Sequence, residues 1–311
     1  MTETVKRERS TPGPTLAFIG AGRAGSALAT ALAGAGRAVV AVHSRTAAHA
    51  ARLATATGAV VVPAAVDAVR RADITFATVP DIEIARVAAT IAAAAVPLPG
   101  RSLVHCSATH GPEVLEAALA SGAVIGAFHP LQALAGAQSA GLLRGSSFSL
   151  EAPPPLLAQL GTLVADLGGH VIEVPPGGRA LYHAAAVLVG NAPPALRARA
   201  SSLLEEAGVE AAEAHRALAA LLHGAASNAV AAGAAAALTG PVVRGDAATV
   251  ARHLDVLVAD PSTRELYRRL ALEMLALAGP EGREAVADIL AAAAPPRARA
   301  AARVVAHPRV A

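Results

Sequence analysis

The chain has 311 residues, a formal net charge of +3, 54% hydrophobic residues and 2% aromatics, with alanine supplying most of the hydrophobic excess. That length allows two domains with cores of their own. The positive charge is nearly all arginine, spread along the chain with no basic stripe interleaved with aromatics, which argues against a nucleic-acid partner. No apolar run reaches the roughly 18 to 20 residues of a spanning helix, so no membrane partner is expected either.

The leader, 1–13, is charged and Pro/Gly-containing and is expected to be disordered. Lys6-Arg7-Glu8-Arg9 and the apolar stretch behind it imitate a secretory signal, but Arg23 and the glycines interrupt it. The single Cys106 cannot close an internal disulfide, and a cytoplasmic location is the expectation.

A short apolar run, Leu16 to Ile19, passes into Gly20-x-Gly22-x-x-Gly25 and then into small and apolar residues at helical spacing. This is a strand, a tight turn and a helix start, the context a dinucleotide fingerprint requires. Gly20 makes the turn, Gly22 lets the backbone approach a pyrophosphate, and Gly25 lets the helix pack closely. Arg23 and Ala24 open the helix, where unpaired N–H groups favour anions. The next strand runs through Val39-Val40-Ala41-Val42 into His43, Ser44 and Arg45, and no acid stands between Ala31 and Val66. An NAD-type unit usually carries a carboxylate here for the ribose hydroxyls, whereas Ser44 and Arg45 suit a 2′-phosphate. The pattern therefore predicts NADP(H), unless Arg45 is only a solvated residue opening the next helix.

Helices are predicted over 47–56, 64–71 and 82–95, and strands over 59–62, 73–79 and 102–105. Such alternation indicates a parallel sheet with crossover helices. Ligands lie beyond the carboxyl ends of such strands. Val79 and Pro80 end one strand near the expected coenzyme, or simply form a Pro-Asp turn. The strand 102–105 ends in His105-Cys106-Ser107, where the nicotinamide end should fall, and the strand 123–128 ends in His129-Pro130. The three histidines of this segment fit no compact ligand motif, so no metal is expected. A strand at 146–150, a helix at 155–167 and a strand at 170–174 complete the sheet, and Pro175-Pro176-Gly177-Gly178 reads as a linker. Beyond it come helices over 179–190, 195–207, 210–238, 246–259, 263–277 and 281–293, with Asn191-Ala192-Pro193-Pro194 splitting the first from the second. The predicted organisation is an α/β chain: a Rossmann-type parallel-sheet domain over 14–176, an all-α substrate and dimerisation domain over 177–294, and a flexible tail over 295–311.

The glycine fingerprint, Ser44-Arg45, His105-Cys106-Ser107, Phe128 to Gln132, Tyr182 to Ala185, Asn191, Leu238 to Pro241 and Arg244 to Asp246 together resemble the Rossmann-like proteins with a DUF2520 C-terminal domain. That group is similar in architecture to pyrroline-carboxylate reductases, 3-hydroxyacid dehydrogenases and ketopantoate reductases, and some members are regarded as an alternative ketopantoate reductase. The resemblance implies an NADPH-dependent reductase acting on CH–OH, with 2-dehydropantoate of pantothenate biosynthesis as the most specific substrate. An imine reductase of the pyrroline-5-carboxylate type and a non-catalytic dinucleotide-binding protein are the alternatives. The familiar ketopantoate reductases use a lysine as proton donor, but the only lysine here is Lys6 in the leader.

His183 occupies the matching helix and is the expected acid, since histidine holds and releases a proton near neutrality. Asn191 follows eight residues on, about 80° around an unbroken helix. Asn191, Asn228, Ser107 and His129 are candidate donors to the developing charge, and Tyr182, Thr239 and Arg244 line up as substrate contacts. Arg244 would clamp a small carboxylate substrate through two parallel bonds, or pair with Asp246. Helices rich in small residues often finish their burial against a second copy, so a homodimer through the second domain is expected.

Overall fold

The computed structural model describes residues 13–294; the leader before Gly13 and the tail from Pro295 lie outside the described residues. The first elements are β1 (Leu16–Ile19), α1 (Arg23–Gly34), β2 (Val39–His43), α2 (Ala47–Thr57), β3 (Val60–Val61), α3 (Ala65–Arg71), β4 (Ile74–Ala77), α4 (Asp81–Ala93), β5 (Ser102–His105) and β6 (Val124–Pro130). A long 3-10 segment, Pro112–Ser121, links β5 to β6. After β6 come β7 (Ser147–Glu151), α5 (Pro154–Asp166), β8 (His170–Ile172) and α6 (Arg179–Gly190).

One eight-stranded sheet has the order β3-β2-β1-β4-β5-β6-β7-β8. Strands β1 to β6 are parallel, and β1 is buried at every residue, as a strand covered by helices on both faces must be. All four phenylalanines lie in one row across one face: Phe18 on Phe76, Phe76 on Phe128 and Phe128 on Phe148, with centroids 5.3, 5.4 and 5.1 Å apart. Such pairs contribute about 0.5–1.5 kcal/mol each beyond their burial. The alanine-rich face of α1 completes this layer, while α3, α4 and Pro112–Ser121 cover the other.

The parallel sheet read from the sequence is present with one departure. Strand β7 is antiparallel to β6, and β8 is parallel to β7, so the last two strands run backwards. The segment between β6 and β7 forms a short 3-10 turn, Ala137–Leu143, that packs on α1 instead of recrossing the sheet. Leu131 N then donates to Ser147 O at 2.8 Å, and β7 re-enters from the end at which β6 left. A parallel return would need a crossover running the length of the sheet.

The chain divides into two compact units between Ala192 and Pro193, so α6 goes with the sheet although Pro175–Gly178 reads as the linker. Arg179 at its start is ion-paired to Glu151 of β7, and Tyr182 is hydrogen-bonded to His129 of β6. The second unit holds α7 (Ala192–Glu206), α8 (Ala211–Ala232), α9 (Ala234–Ala237), α10 (Ala247–Val256), α11 (Pro261–Ala278) and α12 (Glu284–Ala292). The single helix predicted over 210–238 breaks at Gly233, whose φ of 82° is left-handed. Helices α10 to α12 enclose a small core around Val250, Leu254, Leu275, Val286 and Leu290. Asp246 and Asp260 cap α10 and α11, accepting from Thr249 N and Thr263 N at 3.0 Å each. By contrast α8 buries only Ala214.

Candidate functional site

The glycine turn behaves mechanically as its spacing requires. Gly20 has φ +103°, and a Cβ there would lie 2.6 Å from Thr78 O. A Cβ on Gly25 would collide with the Gly20 carbonyl, whereas one on Gly22 would meet nothing within 4 Å, leaving open space where the backbone can be approached. Thr78 Oγ1 donates to Gly20 O at 2.6 Å and ties the end of β4 to the turn. Helix α1 has no side-chain cap and no acid in its first turn, so its leading N–H groups, at Arg23, Ala24 and Gly25, have no competing anion of their own.

Beside this turn lies a cavity of about 440 Å³ whose walls include Gly20, Gly22, Ser44, Arg45, Val79 and Pro80. A smaller one, about 380 Å³, adjoins it and is lined by Arg23, Ser26 and Arg52. The predicted cofactor residues Gly20, Gly22, Arg23, Ser44, Arg45, Val79 and Pro80 thus converge, with Ala24 and Gly25 in the helix turn behind them. The sequence reading missed two groups in the larger cavity, Glu83 and Arg86 of α4. Arg45 Nη1 stands 3.6 Å from Glu83 Oε1, and Arg86 is paired with the other oxygen of the same carboxylate.

A second cluster forms at the ends of β4, β5 and β6. His105 is fully buried; its Nε2 is 2.9 Å from Gly111 O and its Nδ1 accepts from Ser107 N at 3.1 Å, which fixes the Nε2–H tautomer. Burial holds its pKa below the usual histidine value. Ser107 Oγ and Thr109 Oγ1 donate to Asp81 Oδ2 at 2.8 and 3.0 Å. His129 Nδ1 and the Tyr182 hydroxyl share a hydrogen bond at 2.6 Å, with the rings edge to face. Burial first, then the charges that His183 and Arg179 would bring, push His129 down to about 4. Burial lifts the Tyr182 hydroxyl to about 12, so both groups are neutral at physiological pH. His183 is adjacent, and its Nδ1 is buried without a hydrogen-bond partner, so a proton on that nitrogen would have no acceptor.

Ser107, His129, Tyr182 and His183 of the predicted site therefore belong to one cluster, and Asp81, His105 and Arg179 join it. Asn191 is exposed at the C-terminus of α6. Asn228, Thr239 and Arg244 are exposed in the second unit. Asp246 spends its carboxylate on capping α10, with Arg244 only a weak electrostatic neighbour. Cys106 is half-buried against the core that holds the phenylalanine row, and desolvation pushes its thiol up to about 12, which disfavours the nucleophilic thiolate. Among the described residues no group of three or more His, Cys, Asp and Glu side chains could hold a metal ion.

Residues 15–109 match the family described as NADP oxidoreductase coenzyme F420-dependent, and residues 146–274 match the domain of unknown function DUF2520. Among solved structures, protein BF3122 from Bacteroides fragilis is similar over 85% of this chain and 98% of its own, at 24% identity and a TM-score of 0.69. The pyrroline carboxylate reductase of Plasmodium falciparum, solved with NADP bound, covers 89% of this chain with 100% of its own, at 14% identity and a TM-score of 0.58. The imine reductase of Myxococcus stipitatus, in complex with NADP+, matches 88% of this chain and 95% of its own at 21% identity, with a TM-score of 0.54. At these identities the likeness is one of fold. No curated protein matches the sequence at a significant level.

Proposed function

From the membership of this chain in the Rossmann-like proteins that carry a DUF2520 domain, we propose that it is an NADPH-dependent reductase of a small cyclic imine of the pyrroline-5-carboxylate type. The observation that carries the reading is the arrangement along one edge of the sheet. An anion-ready glycine turn with two arginines lies at the ends of β1 and β2, and a neutral histidine–tyrosine pair lies at the end of β6. The pyrroline carboxylate reductase and imine reductase with this fold favour C=N as the reduced bond.

NADP(H) fits the residues present: the helix start and Gly22 would hold the pyrophosphate, and Ser44 and Arg45 the 2′-phosphate. Bound there, the coenzyme supplies a hydride. The remaining work falls to the chain itself. With Tyr182 taken as the donor to His129 Nδ1, the pair keeps a hydrogen on Nε2, which bonds to no described protein group and is free to donate to a carbonyl oxygen or to an unprotonated imine nitrogen. A neutral imidazole needs no charge to be buried for this role. Asp81, steadied by Ser107 and Thr109, is the anion on hand for a protonated imine. His183 is the neighbouring candidate for proton delivery. A substrate carboxylate calls for a cation as well, and Arg244, with Thr239, Asn191 and Asn228, stays the proposal made from the sequence for that contact.

The His129–Tyr182 pair also sustains a second reading, a 2-oxo acid reductase acting on 2-dehydropantoate. A carbonyl oxygen needs a donor as it gains charge, while an imine that arrives protonated does not. Following NADPH absorbance with pyrroline-5-carboxylate, simpler cyclic imines, 2-dehydropantoate and other 2-oxo acids separates the two. Consumption with the imines alone supports the first reading and consumption with the oxo acids alone the second. Coenzyme binding without turnover of any of them leaves a dinucleotide-binding protein.

The assembly that goes with this reading is a homodimer through the second unit. In α8, Leu221 and Val230 are 67% and 89% exposed, and nine residues of helix put them on opposite sides. A helix with apolar groups uncovered on both sides is suited to insertion into a second copy, and sedimentation would read the dimer mass.

A further inference from the structure

The coenzyme cavity contains an acid that a reading of the second strand alone excludes. Glu83 enters from α4, on the wall facing Arg45, and its side chain is only 18% exposed. One oxygen faces Arg45 of the β2–α2 connection and the other Arg86, one helical turn further along α4. Two guanidiniums from separate elements are thus gathered within the width of one carboxylate, at the place where the ribose of a dinucleotide falls. Both arginines are largely open, at 72% and 62% exposure, so each ion pair is weak and exchangeable.

We propose that Arg86 is a second ligand of the coenzyme's 2′-phosphate and that Glu83 is the phosphate's placeholder, a carboxylate that keeps Arg45 and Arg86 together until the phosphate displaces it. The proposal rests on the reading of NADP(H) as coenzyme. A phosphate dianion offers three oxygens where Glu83 offers two, so it accepts both forks at once and with more charge. Two arginines against one glutamate give this wall of the cavity a net positive charge, which favours the doubly charged newcomer. Had Arg86 served the adenine instead, by stacking, it would contribute equally to coenzymes with and without the phosphate.

Direct binding tests this without any substrate. Wild type, Arg86→Gln, Arg45→Gln and Glu83→Gln are titrated calorimetrically with NADPH, NADH and the fragment 2′,5′-ADP. Loss of one charge-assisted contact should weaken NADPH and 2′,5′-ADP about 10- to 100-fold in Arg86→Gln and in Arg45→Gln, with NADH changed less than about twofold. Glu83→Gln removes the competitor and should tighten 2′,5′-ADP several-fold. Equal loss of NADPH and NADH in Arg86→Gln overturns the proposal in favour of stacking; no loss, or weaker 2′,5′-ADP binding in Glu83→Gln, overturns it outright. Wild type that prefers NADPH while Arg86→Gln is unchanged sinks this proposal alone, whereas wild type that binds neither coenzyme sinks the coenzyme reading with it.

Discussion

Each unit of the molecule contains one histidine–tyrosine pair, and the two pairs are nearly the same object. His129 Nδ1 lies 2.6 Å from the Tyr182 hydroxyl and His253 Nδ1 lies 2.9 Å from that of Tyr267. Both ring pairs meet edge to face, at 82° and 89°. What separates them is what surrounds the histidine. His129 ends a strand and feels His105 from β5, His183 and Arg179 from α6 and Asp81 from α4. His253 instead joins α10 to α11 beside the small helical core, and no second histidine or acid shares its bond. Under the proposed function the same hydrogen bond is a chemical device in one place and a strut in the other.

The largest break in this comparison is the loss of the imidazole. His129→Ala should lower turnover by about 100- to 10,000-fold, the usual worth of a positioned proton or hydrogen-bond donor, while NADPH affinity stays within a few-fold. His253→Ala should leave turnover nearly intact and lower the unfolding free energy by about 1–2 kcal/mol. Steady-state kinetics beside urea denaturation reads both. Equal kinetic effects from the two variants would erase the distinction drawn here.

A smaller but cleaner effect comes with pH. His129 is held near 4 in the folded chain against an ordinary value of 6.5, so between those values the unfolded chain binds a proton that the folded one refuses. Stability must then fall as pH drops from about 6.5 to about 4, by on the order of 3 kcal/mol for this residue. Buried His105 acts in the same direction. Urea midpoints measured across that window should show a shallower slope in His129→Asn, and an unchanged one in His253→Asn. A slope untouched by His129→Asn would mean that the imidazole is protonated at no cost in the folded state.

How much of this could be read beforehand follows the same division. The turn at Gly20, Gly22 and Gly25 is local, so its spacing carried the strand, the helix and the anion site together. Ser107 and His129 could be picked out as candidates because strand ends in such sheets point at ligands. Glu83 and Arg86 were not, because they meet Arg45 only through the fold; the four residues after Ala77 read as a turn, and the helix behind them as ordinary amphipathic sequence. Asp81 was in view but undistinguished, since Pro-Asp marks turns of every kind. The reversal of β7 hid in the connection Leu131 to Ser146, whose length suits a crossover and whose glycines and polar residues suit a turn equally well. In the second unit helices were plain from periodicity, but alanine fits a core and a surface alike, so which helix faces were covered could not be told.

The finest break removes one oxygen atom. Tyr182→Phe and Tyr267→Phe both keep the ring and its edge contact and delete only the hydroxyl. In the second unit that leaves His253 to find solvent or another partner, costing about 1 kcal/mol of stability and nothing in catalysis. In the first, with Tyr182 donating as proposed, the hydroxyl selects the imidazole tautomer that bears its hydrogen on Nε2. Without it His129 is free to place the hydrogen on Nδ1, and part of the population loses the donor at Nε2. Turnover should fall several-fold to about tenfold, less than for His129→Ala because the imidazole remains. Nitrogen-15 spectra of labelled histidine provide a readout that structural damage alone would not move: His129 should show the Nε2–H tautomer in wild type and a mixture in Tyr182→Phe, with His253 unaffected. Finding the Nδ1–H tautomer already in wild type would reverse the bond, make His129 the donor to Tyr182, and transfer the donor's role to the tyrosine hydroxyl.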